Sequence, residues 1–125
     1  MTRAAHALNP SEVIEMSGTD YLGELEQMVL LAVMRVGESA YGRSVRQELE
    51  ETAGRRISAG AAYVTLDRLE TKGLLTSWSG DPEPGRGGRP KRFYQVTPEG
   101  VSALADSRRA LDRLWRGYEG VMEET

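Results

Sequence analysis

The side chains able to do chemistry are few, and they favour grip over catalysis. The 125-residue chain has no cysteine and one histidine, His6. Disulfides, thiolate metal sites and cysteine nucleophiles are therefore excluded. No His-Glu-x-x-His or Cys-x-x-Cys pattern is present, and no histidine pairs with a serine or carboxylate. The chain reads as a non-enzyme, with no metal and no cofactor called for. What remains is a set of cations. The loop RGGRPKR carries Arg86, Arg89, Lys91 and Arg92 with no acid among them. Cations interleaved with glycine can approach phosphates closely, and an arginine can enter a narrow minor groove. The same composition also suits a solubilising hairpin tip, and charge alone leaves both readings open. A phosphate-binding glycine loop is ruled out, because such a loop opens a helix and carries Gly-Lys-Ser/Thr.

The elements around that loop must position it. From Ala59 to Gly73 the sequence predicts a helix, with Ala62, Leu66 and Leu69 at i, i+4 and i+7 forming one apolar stripe. About a third of a turn away lie Ala61, Thr65, Arg68 and Lys72, the face expected to meet a partner. Its first turn, Ala59-Gly60-Ala61, is slim enough to enter a groove. Gly73 stands where a helix stops in the left-handed conformation. LLTSW (Leu74 to Trp78) and KRFYQVT (Lys91 to Thr97) alternate as strands, and GDPEPGRGGRP between them cannot hold regular structure. A helix followed by a basic two-stranded ribbon is a device for gripping duplex DNA.

Upstream, residues 1–20 read as a flexible arm, within which Asn9, Pro10 and Glu12 could start a short helix. Leu22 to Val36 predicts a helix that is apolar on every side and so buried all round, which implies a second subunit. Ser39 is placed to cap a helix from Ala40 to Ala53, closed by Gly54, with Val45 and Leu49 facing inward. Arg55 to Ser58 is an extended link that could form a small strand. Downstream, Thr97 can cap and Pro98 can open a long helix to Met122. Val101, Leu104, Arg108, Leu111, Trp115, Tyr118 and Met122 follow a heptad seam along it. Arg108 in that seam needs an acid, and Asp112 or Glu119 of a second copy would serve. An exposed stripe of this kind calls for a homodimer, with Leu25 and Val29 of the first helix joining Leu104, Leu111, Trp115, Tyr118 and Met122.

Charge supports the division. The whole chain is −3, yet residues 1–38 carry −4, residues 39–97 carry +3 and residues 98–125 carry −2. Local potential, not the total, attracts a polyanion. No apolar run approaches the ~20 residues of a membrane span, and the N-terminus lacks the order of a secretory signal. A cytoplasmic protein with no membrane contact is expected.

These residues together resemble the PadR-like transcriptional regulators, which are bacterial winged-helix repressors. The resemblance runs through YGRSV from Tyr41, GAAYVTLDRLETKGLL from Gly60 to Leu75, Trp78, the arginine-rich wing, KRFYQVT and PEG at Pro98. One helix after the wing is similar to the short subgroup. The resemblance implies an α+β winged helix-turn-helix at residues 21–97 and a C-terminal dimerisation helix at 98–125. It implies a homodimer on a palindromic operator of double-stranded DNA, acting as a repressor, often with a small aromatic effector. Ala61-Ala62-Tyr63 departs from the family's usual Thr-Leu-Tyr, which removes one hydroxyl contact to phosphate. The expected DNA-binding set is Tyr41, Ser58, Ala61, Tyr63, Thr65, Arg68 and Lys72 with the wing residues Arg86, Arg89, Lys91 and Arg92. Trp115 offers a stacking surface for a planar aromatic effector, beside its plainer use as a packing anchor. The rival reading is a winged-helix module for protein–protein contact without an operator.

Overall fold

The computed structural model describes residues 21–81 and 90–123, apart from the side chain of Met122. The arm, with His6 and the helix expected near Asn9, lies outside the described residues, as do Arg86 and Arg89. In order, the elements are α1 (Glu24–Val36), a 3-10 turn (Gly37–Ser39), α2 (Gly42–Ala53), α3 (Ala59–Thr71), strands β1 (Leu75–Ser79) and β2 (Arg92–Val96), α4 (Pro98–Trp115) and α5 (Glu119–Glu123). The strands form an antiparallel ribbon with Leu75 opposite Val96 and Ser79 opposite Arg92. A third chain segment touches the ribbon through one bridge, Tyr41 to Phe93. That bridge, and not a strand at Arg55–Ser58, supplies the outer edge of the sheet.

Gly23–Ser102 forms one compact unit. Its centre is Val29, Leu30, Val33, Val45, Leu66, Leu69 and Leu75, all essentially without solvent contact. Helix α1 gives one face to this core, and its other face leaves Leu31 and Met34 each 48% exposed. The expectation of a helix buried all round is thus corrected within a single chain. An all-apolar run states that cover is available, not how much of it one chain can supply. Val29 faces the unit's own core, so its assignment to a dimer contact is corrected too.

The helix ends are set by local chemistry. Gly54 and Gly73 take the left-handed conformation (φ 66° and 80°), and the Gly54 and Arg55 amides return to the carbonyls of Glu50 and Leu49. Ser39 does not cap α2 with its side chain. Instead, the Ser44 hydroxyl accepts from the Tyr41 amide (2.9 Å) and donates to the Ser39 carbonyl (2.7 Å). The Thr97 hydroxyl accepts from the Gly100 amide (3.0 Å) and donates to the Gly73 carbonyl (2.8 Å), so one side chain caps α4 and ties it to the end of α3. Gly100 lies so close to the base of the ribbon that a Cβ there would press on the Leu74 carbonyl and on Val96 Cγ1.

The other unit comprises residues up to Leu22 together with the chain from Ala103 onward. Its one buried polar side chain among the described residues, Ser107, accepts a hydrogen bond from the Leu22 amide (3.0 Å). The helix expected to run to Met122 stops at Trp115. Gly117 (φ 92°) reverses the chain locally, and the Tyr118 amide returns to the Trp115 carbonyl. Arg108 reaches Asp112 of its own helix at 3.7 Å, with both side chains well exposed.

Candidate nucleic-acid interface

Helices α2 and α3 are joined by a five-residue link, residues 54–58, held at its far end. The Arg46 guanidinium donates to the Ile57 carbonyl (3.2 Å). The Ser58 hydroxyl accepts from the Ala61 amide (3.0 Å), so its side chain serves as the N-cap of α3. Packing of Ala62, Thr65, Leu66 and Leu69 into the core fixes the rotation of α3 about its axis. Tyr63 is then 58% exposed, its ring against Gly42 at the start of α2.

The charges are placed unequally. Arg68 is exposed on α3. Lys72 donates to Glu26 at 2.7 Å. Partial burial raises the Glu26 carboxyl, but the Lys72 and Gly23 hydrogen bonds and the Lys72 and Arg68 charges together hold it below the ordinary value. Lys72 is thus exposed and paired with Glu26 at the surface of the unit. Thr65 is a correction to the expected DNA-facing set. It is 4% exposed, and its hydroxyl donates to the Ala61 carbonyl (2.9 Å) one turn back. A threonine that satisfies its hydroxyl this way passes for an apolar side chain, so the DNA-facing stripe lies further round the helix.

In the wing, Trp78 stacks on Phe93 with ring centres 6.0 Å apart, and Phe93 meets Tyr41 edge-on at 5.9 Å. The Lys91 ammonium sits 4.4 Å from the centre of the Tyr41 ring. Arg92 donates to the Ser77 hydroxyl (3.0 Å), which donates to Glu70 (2.7 Å). Tyr41 thus orients the wing and its lysine, a role its sequence position did not reveal. Ala61, in the first turn of α3, is half-buried. Burial raises the Tyr94 phenol, the nearby Arg92 opposes that rise, and the acids Glu70 and Asp67 add to it.

Sequence reasoning missed Val64 and Asp67, both exposed near the middle of the outer face of α3. The signal was present in their helical phase, opposite Ala62 and Leu66. It also missed Leu114 and Val121, which join Leu111, Trp115 and Tyr118 around a shallow apolar depression of about 300 Å³. Leu104 is half-buried, as is Leu25 in α1. Among the described residues no group of acids and histidines could hold a metal, and no helix is long and apolar enough to cross a membrane.

Three helices followed by a two-stranded wing, with one bridge from the segment before α2, define a winged helix-turn-helix protein. Residues 30–106 match the model of the transcriptional regulator PadR-like family. The chain belongs to that family and is a DNA-binding transcriptional regulator, not an enzyme. It is 41% identical over 85 residues to the transcriptional regulator Rv3488 of Mycobacterium tuberculosis, covering 68% of this chain and 75% of that protein. It is also similar to a PadR family transcriptional regulator from Eggerthella lenta, with TM-score 0.61, 26% identity and 92% and 96% of the two chains covered. A PadR-like transcriptional regulator from Bacillus cereus shares the fold at TM-score 0.60 and 18% identity, covering 86% and 94%.

Proposed function

We propose that the protein is a cytoplasmic repressor that binds a palindromic operator as a homodimer and is released by a small planar aromatic compound. The observation that carries this reading is the joint exposure of two surfaces. The outer face of α3 is uncovered beside a cationic wing, and Leu111, Leu114, Trp115 and Tyr118 are uncovered in the C-terminal segment. DNA suits the first and a second copy suits the second. A two-fold pairing lets one apolar stripe cover another and would set two α3 helices about 34–36 Å apart, one turn of duplex. Arg68 with Arg86, Arg89 and Lys91 would engage about four phosphates per subunit, or about eight per dimer. Trp115, 41% exposed in its apolar depression, would stack the effector.

The test is titration of the full chain against its own upstream DNA at two salt concentrations. A log–log slope of roughly −7 is expected. A slope near zero, or no binding to any upstream fragment, would overturn the repressor reading. Effector release is read separately on a Trp78→Phe background. A planar aromatic compound should quench Trp115 and lower operator affinity together; quenching that leaves affinity untouched removes the switch.

A further inference from the structure

The outermost line of α3 is Gly60, Val64, Asp67 and Thr71, all exposed. At about 100° per residue, they lie within about 30° of the direction opposite Ala62, Thr65, Leu66 and Leu69. Tyr63 leans to one side against Gly42. Arg68 lies to the other, where its charge acts on Glu26. The centre of the face is left to a carboxylate and a branched aliphatic group. The Asp67 carboxylate makes no ion pair and no hydrogen bond with any other described residue, and acts within the chain only through its charge on the Tyr94 phenol.

A bare carboxylate on a face that approaches a polyanion is repelled by every phosphate nearby. It is tolerated at the centre of such a face when it gains a bond there that no other base edge can offer. An ionised carboxylate only accepts hydrogen bonds. In the major groove guanine presents N7 and O6, and thymine presents O4, all acceptors that oppose it. Adenine offers its amino group beside an acceptor nitrogen. Cytosine offers its N4 amino group without one. Val64 is 56% exposed, and apolar groups in this position contact the thymine methyl. Three residues along a helix rise about 4.5 Å, close to the roughly 3.4 Å step between base pairs, so the two side chains address neighbouring pairs.

We propose that Asp67 and Val64 are specificity-determining residues of α3, Asp67 accepting a hydrogen bond from a cytosine N4 amino group and Val64 packing on a thymine methyl within one or two base pairs of it. This rests on the reading of α3 as the element that enters the groove. The experiment selects bound duplexes from a random pool with the full chain and with Asp67→Asn, Asp67→Ala and Val64→Ala. All three changes are on exposed positions, and thermal melting checks that each variant is folded. The wild type should select half-sites containing a cytosine with a thymine one or two pairs away. An asparagine side chain pairs best with adenine through N6 and N7, so Asp67→Asn should replace the cytosine by adenine at that position alone. Asp67→Ala should relax the same position by about tenfold while binding random duplex more tightly, because the repulsion is gone. Val64→Ala should relax only the thymine. An Asp67→Asn motif identical to that of the wild type overturns the proposal and leaves α3 as the reader. A wild type that selects no motif overturns both.

Discussion

Leu30, Leu66, Leu69 and Leu75 of the winged unit have essentially no solvent contact, while Leu114 of the C-terminal segment is 76% exposed and Tyr118 64%. Both regions are helical and both carry apolar side chains at helical spacing. The difference lies in closure. Gly23–Ser102 folds three helices and a ribbon around one centre and buries its stripes against each other. From Leu111 to Val121 the apolar side chains of the last two helices and the turn between them stay exposed. Amphipathic spacing therefore specifies a face to be covered, and only chain topology decides whether the cover is intramolecular.

The comparison breaks most visibly if the open strip is made polar. Leu111→Asp combined with Trp115→Asp should give a monomer or an unfolded chain by sedimentation, with operator binding lost in either case. A double variant that stays dimeric and still binds shows that the strip is covered by nothing essential. Truncation inside and outside the core comes next. Leu66→Ala should cost about 2–5 kcal/mol in urea denaturation through the cavity it leaves. Leu114→Ala, measured at protein concentrations low enough for a monomer, should stay within about 0.5 kcal/mol. Equal losses would mean that the two regions are not closed to different degrees.

Glycines sharpen the same contrast through the sign of the effect. Gly100→Ala places a methyl against the Leu74 carbonyl and Val96 and should destabilise by about 1–3 kcal/mol. Gly120→Ala lies in helix α5 with nothing within 4 Å, so it should be stabilising by up to about 1 kcal/mol. Matching signs in thermal melts would sink the close-approach account. The smallest expected effect is electrostatic. The folded Glu26 carboxyl lies below its unfolded value, so the charged form is favoured in the native state. Its contribution is present above the ordinary carboxylate pKa of about 4.3 and is lost as pH falls through the lower folded value. The melting-temperature gap between wild type and Glu26→Gln should therefore be full at neutral pH and shrink below about pH 4.3. A gap that widens on acidification contradicts the sign.

What the sequence disclosed were the features that act within a few residues. Gly54 and Gly73 end helices as their types require, Thr97 caps the helix that follows it, and the ribbon forms within a residue of its expected bounds. Less legible were features decided by the rest of the fold. Thr65 counted as polar until its hydroxyl found the Ala61 carbonyl. The packing role of Tyr41 was hidden because its bridge to Phe93 spans fifty-two residues of sequence. The apolar run Met28–Met34 could not announce that Leu31 and Met34 would remain in solvent.

Gly117 carries a consequence for the exposed apolar strip beyond ending α4. In an uninterrupted helix the seam of Leu111, Trp115 and Tyr118 would pass next to position 122. Gly117 interrupts that run, and beyond it Val121 lines the depression with Leu111, Leu114, Trp115 and Tyr118. The end of the apolar strip therefore hangs on one backbone angle, φ 92° at Gly117. Any side chain at position 117 is strained in that angle whatever the surrounding space. Gly117→Ala would favour a straight continuation of α4 through position 117. A single residue thus sets the direction in which the last exposed apolar side chains leave the helix that carries the first ones.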